Sequence, residues 1–121
     1  RETLEMAELV NGWPWILQPE TSPARIGLDQ ALQRLALPLP ADIIECSSVY
    51  SMQQLIQLTD AIMVLSETAL RDYLEMGLVV ALPVELDVQL APFGLLVRKG
   101  EHISRELGLF IDLLRRKAAV F

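Results

Sequence analysis

"ECSSVYSMQQLIQLTDAIMVLS", residues 45–66, decides the fold class. It reads as a strand end, a loop carrying Ser47, Ser48, Tyr50 and Ser51, then a helix with Met52, Leu55 and Ile56 on one face. Asp60 ends the helix, and "AIMVL" follows as an apolar run that predicts a strand covered on both sides. Ser66 then starts the next turn of the pattern as a helix cap. A hydroxyl cluster thus stands between two apolar elements, at a helix start and without a charged partner close by in sequence.

The same alternation extends in both directions. Upstream, "TLEMAELV" reads as a short helix stopped by Asn11-Gly12, and "WPWIL" as a strand with Pro14 at its start. Ser22 and Pro23 make an N-cap and a first helical residue, and Leu28, Ala31, Leu32 and Leu35 share one stripe. Asp29, Gln30, Gln33 and Arg34 face elsewhere, "LPLP" stops the helix, and "DIIEC" is the second strand. Downstream, "ETALRDYLEM" is a helix that ends at Gly77. "LVVALPV" and "FGLLVRKG" read as further strands, separated by the connection "ELDVQLAP". Ser104 caps a long last helix whose Leu107, Phe110, Ile111 and Leu114 form a stripe spaced for burial. Alternating strands and helices predict an α/β layer fold with a mainly parallel sheet flanked by helices.

Composition narrows the function. With 121 residues, 52% of them hydrophobic and 6% aromatic, the chain can bury an aliphatic core. No apolar run approaches the ~20 residues of a membrane span. A single cysteine, Cys46, excludes an internal disulfide and suits a reducing cytosol. With His102 also alone of its kind, a Cys/His zinc site within the chain is excluded. The formal charge of −6 disfavours a phosphate backbone as partner, so the chain by itself is not expected to bind DNA. Arg115, Arg116 and Lys117 read as cations closing a helix.

Ligands of open α/β sheets sit beyond the carboxyl ends of strands, against helix N-termini. Two junctions qualify: Gln18 to Ser22 after "WPWIL", and Ser47 to Ser51 after "DIIEC". Each combines hydroxyls with free backbone N–H groups, which suits a small anion such as a carboxylate. The plainer reading is that these hydroxyls only cap their own helices. Catalytic readings are weaker. His102 lies in a charged turn, the glycines never cluster as a phosphate loop requires, and no positioned acid/base pair is visible. Cys46 precedes a helix N-terminus but reads best as a buried structural residue.

Taken in order, the segments resemble the C-terminal part of a LysR-type transcriptional regulator. "WPWILQPETSPAR" is similar to the family's tryptophan-bearing strand, Gly-Ser-type loop and Arg-bearing helix, through Thr21, Ser22 and Arg25. Glu45, Cys46 and Ser48 stand where the family has E-T-x-S, and Thr59, Asp60, Ile62 and Leu65 follow its S-D-x-I-x-x-L-P stretch, with Ser66 for the proline. Tyr73, Leu74, Gly77, Val79, Leu82 and Pro83 match Y-L-x-x-G-x-L-x-x-L-P. Pro92, Gly94, Leu95 and Arg98 match P-x-G-L-x-x-R, and Phe110, Ile111, Asp112 and Arg115 the closing F-L-D-L-L-R.

The resemblance implies a periplasmic-binding-protein-like (type 2) subdomain. Residues 1–92 would be the second α/β subdomain of an effector-binding domain, and residues 93–121 the strand and helix returning to the first. It implies a cytoplasmic, non-enzymatic regulator that needs no cofactor or metal. The small effector, expected to be acidic, would lie in the cleft between subdomains, held by Gln18, Glu20, Thr21, Ser22, Ser47, Ser48 and Val49. Glu20 would disfavour an anion unless it points outward or pairs with Arg25, and Thr21 replaces a common glycine. DNA would be reached only through an N-terminal winged helix-turn-helix, which the chain lacks, as it lacks the first half of the effector domain. A homo-oligomer is expected, because the last helix would otherwise leave its apolar stripe in water. One alternative is a lobe of an extracytoplasmic solute-binding protein, which shares the fold. Another is an enzyme on the same scaffold.

Overall fold

A computed structural model describes residues 5–88, 90, 92 and 94–119. They fall into two compact units, Arg1–Ala91 and Pro92–Phe121.

The first unit opens with α1 (Met6–Gly12), whose Met6, Leu9 and Val10 are buried. β1 (Trp15–Leu17) follows and is buried at all three positions. Its Trp15 ring is inside the core, and the indole Nε1–H donates to the Leu9 carbonyl at 3.0 Å. A buried ring thus keeps its polar atom satisfied while it fixes α1 against the strand. Pro14 stands just before β1, and its carbonyl accepts from Ile62 N. The missing proline N–H therefore costs the ladder nothing.

β2 (Ile43–Glu45) and β3 (Ile62–Met63) flank β1, both parallel to it, in the order β2-β1-β3. The register pairs Trp15, Ile16 and Leu17 with Ile43, Ile44 and Glu45, and Trp15 and Ile16 with Ile62 and Met63. The two parallel crossovers carry α2 (Pro23–Arg34) and α3 (Val49–Leu58), and α4 (Glu67–Glu75) follows β3. One cluster of Met6, Leu9, Val10, Trp15, Leu17, Leu28 and Leu32 forms the core, with Leu37, Ile43, Ile62, Val64, Val84 and Leu86 packed on it. This is the α/β class that the alternation predicts.

Several boundaries differ from the sequence reading. Leu28, Ala31 and Leu32 are buried as the stripe requires, but Leu35 is 51% exposed. The helix stops earlier than the prolines demand. Ala36 adopts a left-handed conformation (φ 55°), Ala36 N–H donates to Gln33 C=O, and Leu37 N–H donates to Leu32 C=O. That is a Schellman closure, and it turns Leu35 outward. α4 closes the same way at Gly77 (φ 73°), with Leu78 N–H on Tyr73 C=O.

The run "AIMVL" keeps strand geometry only at Ile62–Met63 and is half-buried, because β3 has β1 on one side and no described strand on the other. "LVVALPV" forms no strand. Val84 N–H and Val88 N–H instead bond to carbonyls two residues back, Leu82 and Leu86, so the chain runs in tight turns while Val84 and Leu86 still pack on the core.

In the second unit, residues 94–98 of "FGLLVRKG" form no strand either, and Phe93 lies outside the described residues. Ser104 caps α5 (Arg105–Ala118), and Arg115, Arg116 and Lys117 occupy its last turn. Of the expected stripe only Ile111 is buried. Leu107, Phe110 and Leu114 are exposed.

Candidate functional site

The two junctions singled out in the sequence lie side by side. Leu17 and Glu45 are register partners at the ends of adjacent parallel strands, and Cys46 N–H donates to Leu17 C=O at 2.8 Å. The loops to α2 and α3 therefore leave the same carboxyl edge of the sheet. Both helices begin there, so the N–H groups left uncapped, Ala24 in α2 behind the N–H-less Pro23 and Val49 and Tyr50 in α3, converge on one edge with two positive dipole ends.

Each helix is capped by a serine. Ser22 Oγ accepts from Arg25 N–H at 3.2 Å, and Ser48 Oγ accepts from Ser51 N–H at 3.2 Å. The capping reading of these two hydroxyls is correct, but it uses only an oxygen lone pair. Each O–H proton remains to be donated to an incoming acceptor. Ser47, Val49 and Thr21 are exposed and Gln18 is partly buried, while Glu20 is exposed and makes no pair with Arg25. Thr21, in place of the usual glycine, keeps a negative φ, so the loop accepts it without backbone strain.

Arg25 is 3% exposed and is spent on structure. Its Nε donates to Asp29 Oδ1 at 3.0 Å, and its Nη1 to the Gln18 carbonyl at 3.1 Å. The guanidinium thus ties the first turn of α2 to the end of β1 and sets the loop between them. Asp29, which the helical spacing directs away from the buried stripe, is half-buried and holds this clamp. The i, i+4 spacing of Arg25 and Asp29 on one helix is the signal that could have found it. Gln18 is one of the residues the family resemblance sets in the effector cleft, and its Oε1 stands out. It is buried without a hydrogen-bond partner.

Cys46 is half-buried rather than buried, with its thiol directed at Ser48 C=O, 3.5 Å away. His102 is exposed. Among the described residues no group of three or more His, Cys, Asp or Glu side chains gathers to hold a metal. No helix there is long and apolar enough to cross a membrane.

The family model of the LysR substrate binding domain matches residues 1–119. The chain belongs to this family. The match spans nearly the whole sequence, and the parallel sheet with flanking helices agrees with the periplasmic-binding-protein-like fold of LysR substrate-binding domains. Comparison with curated proteins and with solved structures gave no match.

Proposed function

We propose that this LysR substrate-binding domain senses a small acidic effector at the shared carboxyl edge of β1 and β2, with that edge as one wall of the effector cleft. In this reading Thr21, Ser22, Ser47 and Ser48 offer hydroxyl protons, and Ala24 of α2 with Val49 and Tyr50 of α3 offer backbone N–H groups. Val49 gives an apolar contact, and Glu20 stays in solvent. The observation that carries the reading is the Leu17–Glu45 register, which sets both helix starts beside each other. A carboxylate there meets donors from two helices and no buried acidic group. Gln18 Oε1 adds a requirement. An unsatisfied buried acceptor costs roughly 1–3 kcal/mol, so an effector with a hydroxyl or amine beside its carboxylate would bind better than the bare acid. The bound effector then controls transcription by the regulator.

The test separates capping from binding. A panel of aromatic and sugar acids is screened, and affinity for the tightest of them is measured with Ser47→Ala and Ser48→Ala, alongside thermal melting. A hydrogen bond to a charged group contributes roughly 1.5–3 kcal/mol, so loss of a contacting hydroxyl weakens binding ~10-fold or more. Ser47→Ala is expected to lower affinity with the melting temperature unchanged. Ser48→Ala is expected to lower both, since removing a cap costs ~0.5–2 kcal/mol. Unchanged affinity for both variants would leave the hydroxyls as caps alone.

A further inference from the structure

A cavity of about 820 Å3 opens along β3, wholly within the first unit. The run Asp60–Leu65 lines it, together with Leu70 and Leu74 of α4, residues 78–82 and the tryptophans Trp13 and Trp15. None of the loop residues 18–22 and 47–51 takes part, so the hollow is separate from the proposed effector edge. A cavity of this volume holds a small organic molecule. Its wall is apolar except for Asp60 and Glu67.

The two carboxylates select the occupant. Asp60 stands two residues before β3 and Glu67 four residues after it, so the apolar run between them has an acid at each end. Both are exposed, and neither forms an ion pair with a described residue. No Lys, Arg or His lines the cavity, and residues 1–91 carry four Lys/Arg against thirteen Asp/Glu, a balance of −9. That field repels an anion, and a neutral molecule leaves both acids without a partner. A cation on an apolar stem suits the acids and the wall alike, and the half-exposed indole of Trp13 adds attraction for an ammonium group. Six residues, β3 among them, lie between the acids, so a linear molecule rather than a compact cation reaches both.

We propose that this cavity binds a linear aliphatic diamine, its methylene chain along β3 and one ammonium group at each carboxylate. The methylenes replace water against Ile62, Val64 and Leu70. The ammonium groups stay at the rim, where Asp60 and Glu67 are exposed, so neither charge is buried.

The chain has two tryptophans, both in the cavity wall, so its intrinsic fluorescence reports occupancy. It is titrated with hexamethylene-, octamethylene- and decamethylenediamine, and with the diol and the dicarboxylate of the longest chain. Saturable changes are expected for the diamines, with affinity rising about fourfold per methylene until both ends reach their carboxylates. The diol is expected to bind roughly fivefold more weakly or worse, and the dicarboxylate not to bind. Asp60→Asn and Glu67→Gln are each expected to weaken the longest diamine about two- to fivefold and to leave the diol unchanged. Both side chains are exposed, so the far-ultraviolet circular dichroism of these variants stays that of the parent chain. Amide shifts caused by decamethylenediamine are expected in residues 60–70 and not in 20–25 or 47–51. A diol that binds as tightly as the diamine, affinity indifferent to both substitutions, or shifts confined to the two loops would overturn the proposal. So would a cavity that takes none of the probes, as it would with a second copy of the chain seated in it.

Discussion

At the scale of single residues, Ala36 and Arg25 carry most of what the structure adds. Ala36 holds φ 55° where a side chain costs energy and glycine does not. Replacing it with glycine keeps both closing hydrogen bonds and relieves a left-handed strain of roughly 1 kcal/mol. Ala36→Gly is therefore expected to raise the midpoint of chemical denaturation, a gain offset only in part by the entropy of the unfolded glycine. Arg25→Ala works in the opposite direction. It removes two charge-assisted bonds and leaves the Gln18 carbonyl without its donor, a loss of about 1–3 kcal/mol. Effector affinity should fall with stability, because the same clamp sets the loop between β1 and α2. Neither residue announces its role in the sequence. The left-handed position is occupied by alanine rather than by the glycine or asparagine that mark such turns, and a clamp is legible only when both ends are seen.

At the scale of elements, local chemistry was legible where an element closes on itself. All four serine caps, Ser22, Ser48, Ser66 and Ser104, sit where a hydroxyl before a helical pattern predicts, each accepting an N–H three residues on. The strands were legible only where a neighbour exists. "WPWIL" and "DIIEC" pair with each other, but "LVVALPV" has a strand composition and no partner strand among the described residues, and its Val84 N–H turns back on the Leu82 carbonyl. Composition supplies a preference, whereas a strand needs a second chain segment to complete it. Backbone amides of residues 78–88 are accordingly expected to exchange with deuterium much faster than those of Ile16 and Leu17. Protection equal to that of β1 would mean that a partner strand covers this segment. Inside the core the ledger is simpler. Leu32 is fully buried in the central cluster, so Leu32→Ala should cost roughly 2–5 kcal/mol in denaturant unfolding.

At the scale of the whole molecule, the order of weak motifs identified the family, and the family match confirms it over residues 1–119. The stripe on α5 marks the limit of that reading. Its spacing predicts burial, yet Leu107, Phe110 and Leu114 are exposed, since periodicity names a face but not what covers it. Net charge also acts at this scale. With −6 overall and the basic residues gathered at 92–121, the chain is expected to show no sequence-selective, salt-dependent DNA binding in a gel-shift experiment. The candidate site itself depends on a relation between distant segments, the pairing of Leu17 with Glu45, which sets two loops from separate parts of the sequence on one edge. The most direct test of that edge is a titration of the isotopically labelled protein with small aromatic and sugar acids, followed by amide chemical shifts. Saturable shifts concentrated in residues 20–25 and 47–51 are predicted. Binding that moves other amides and leaves both loops unchanged would contradict the account.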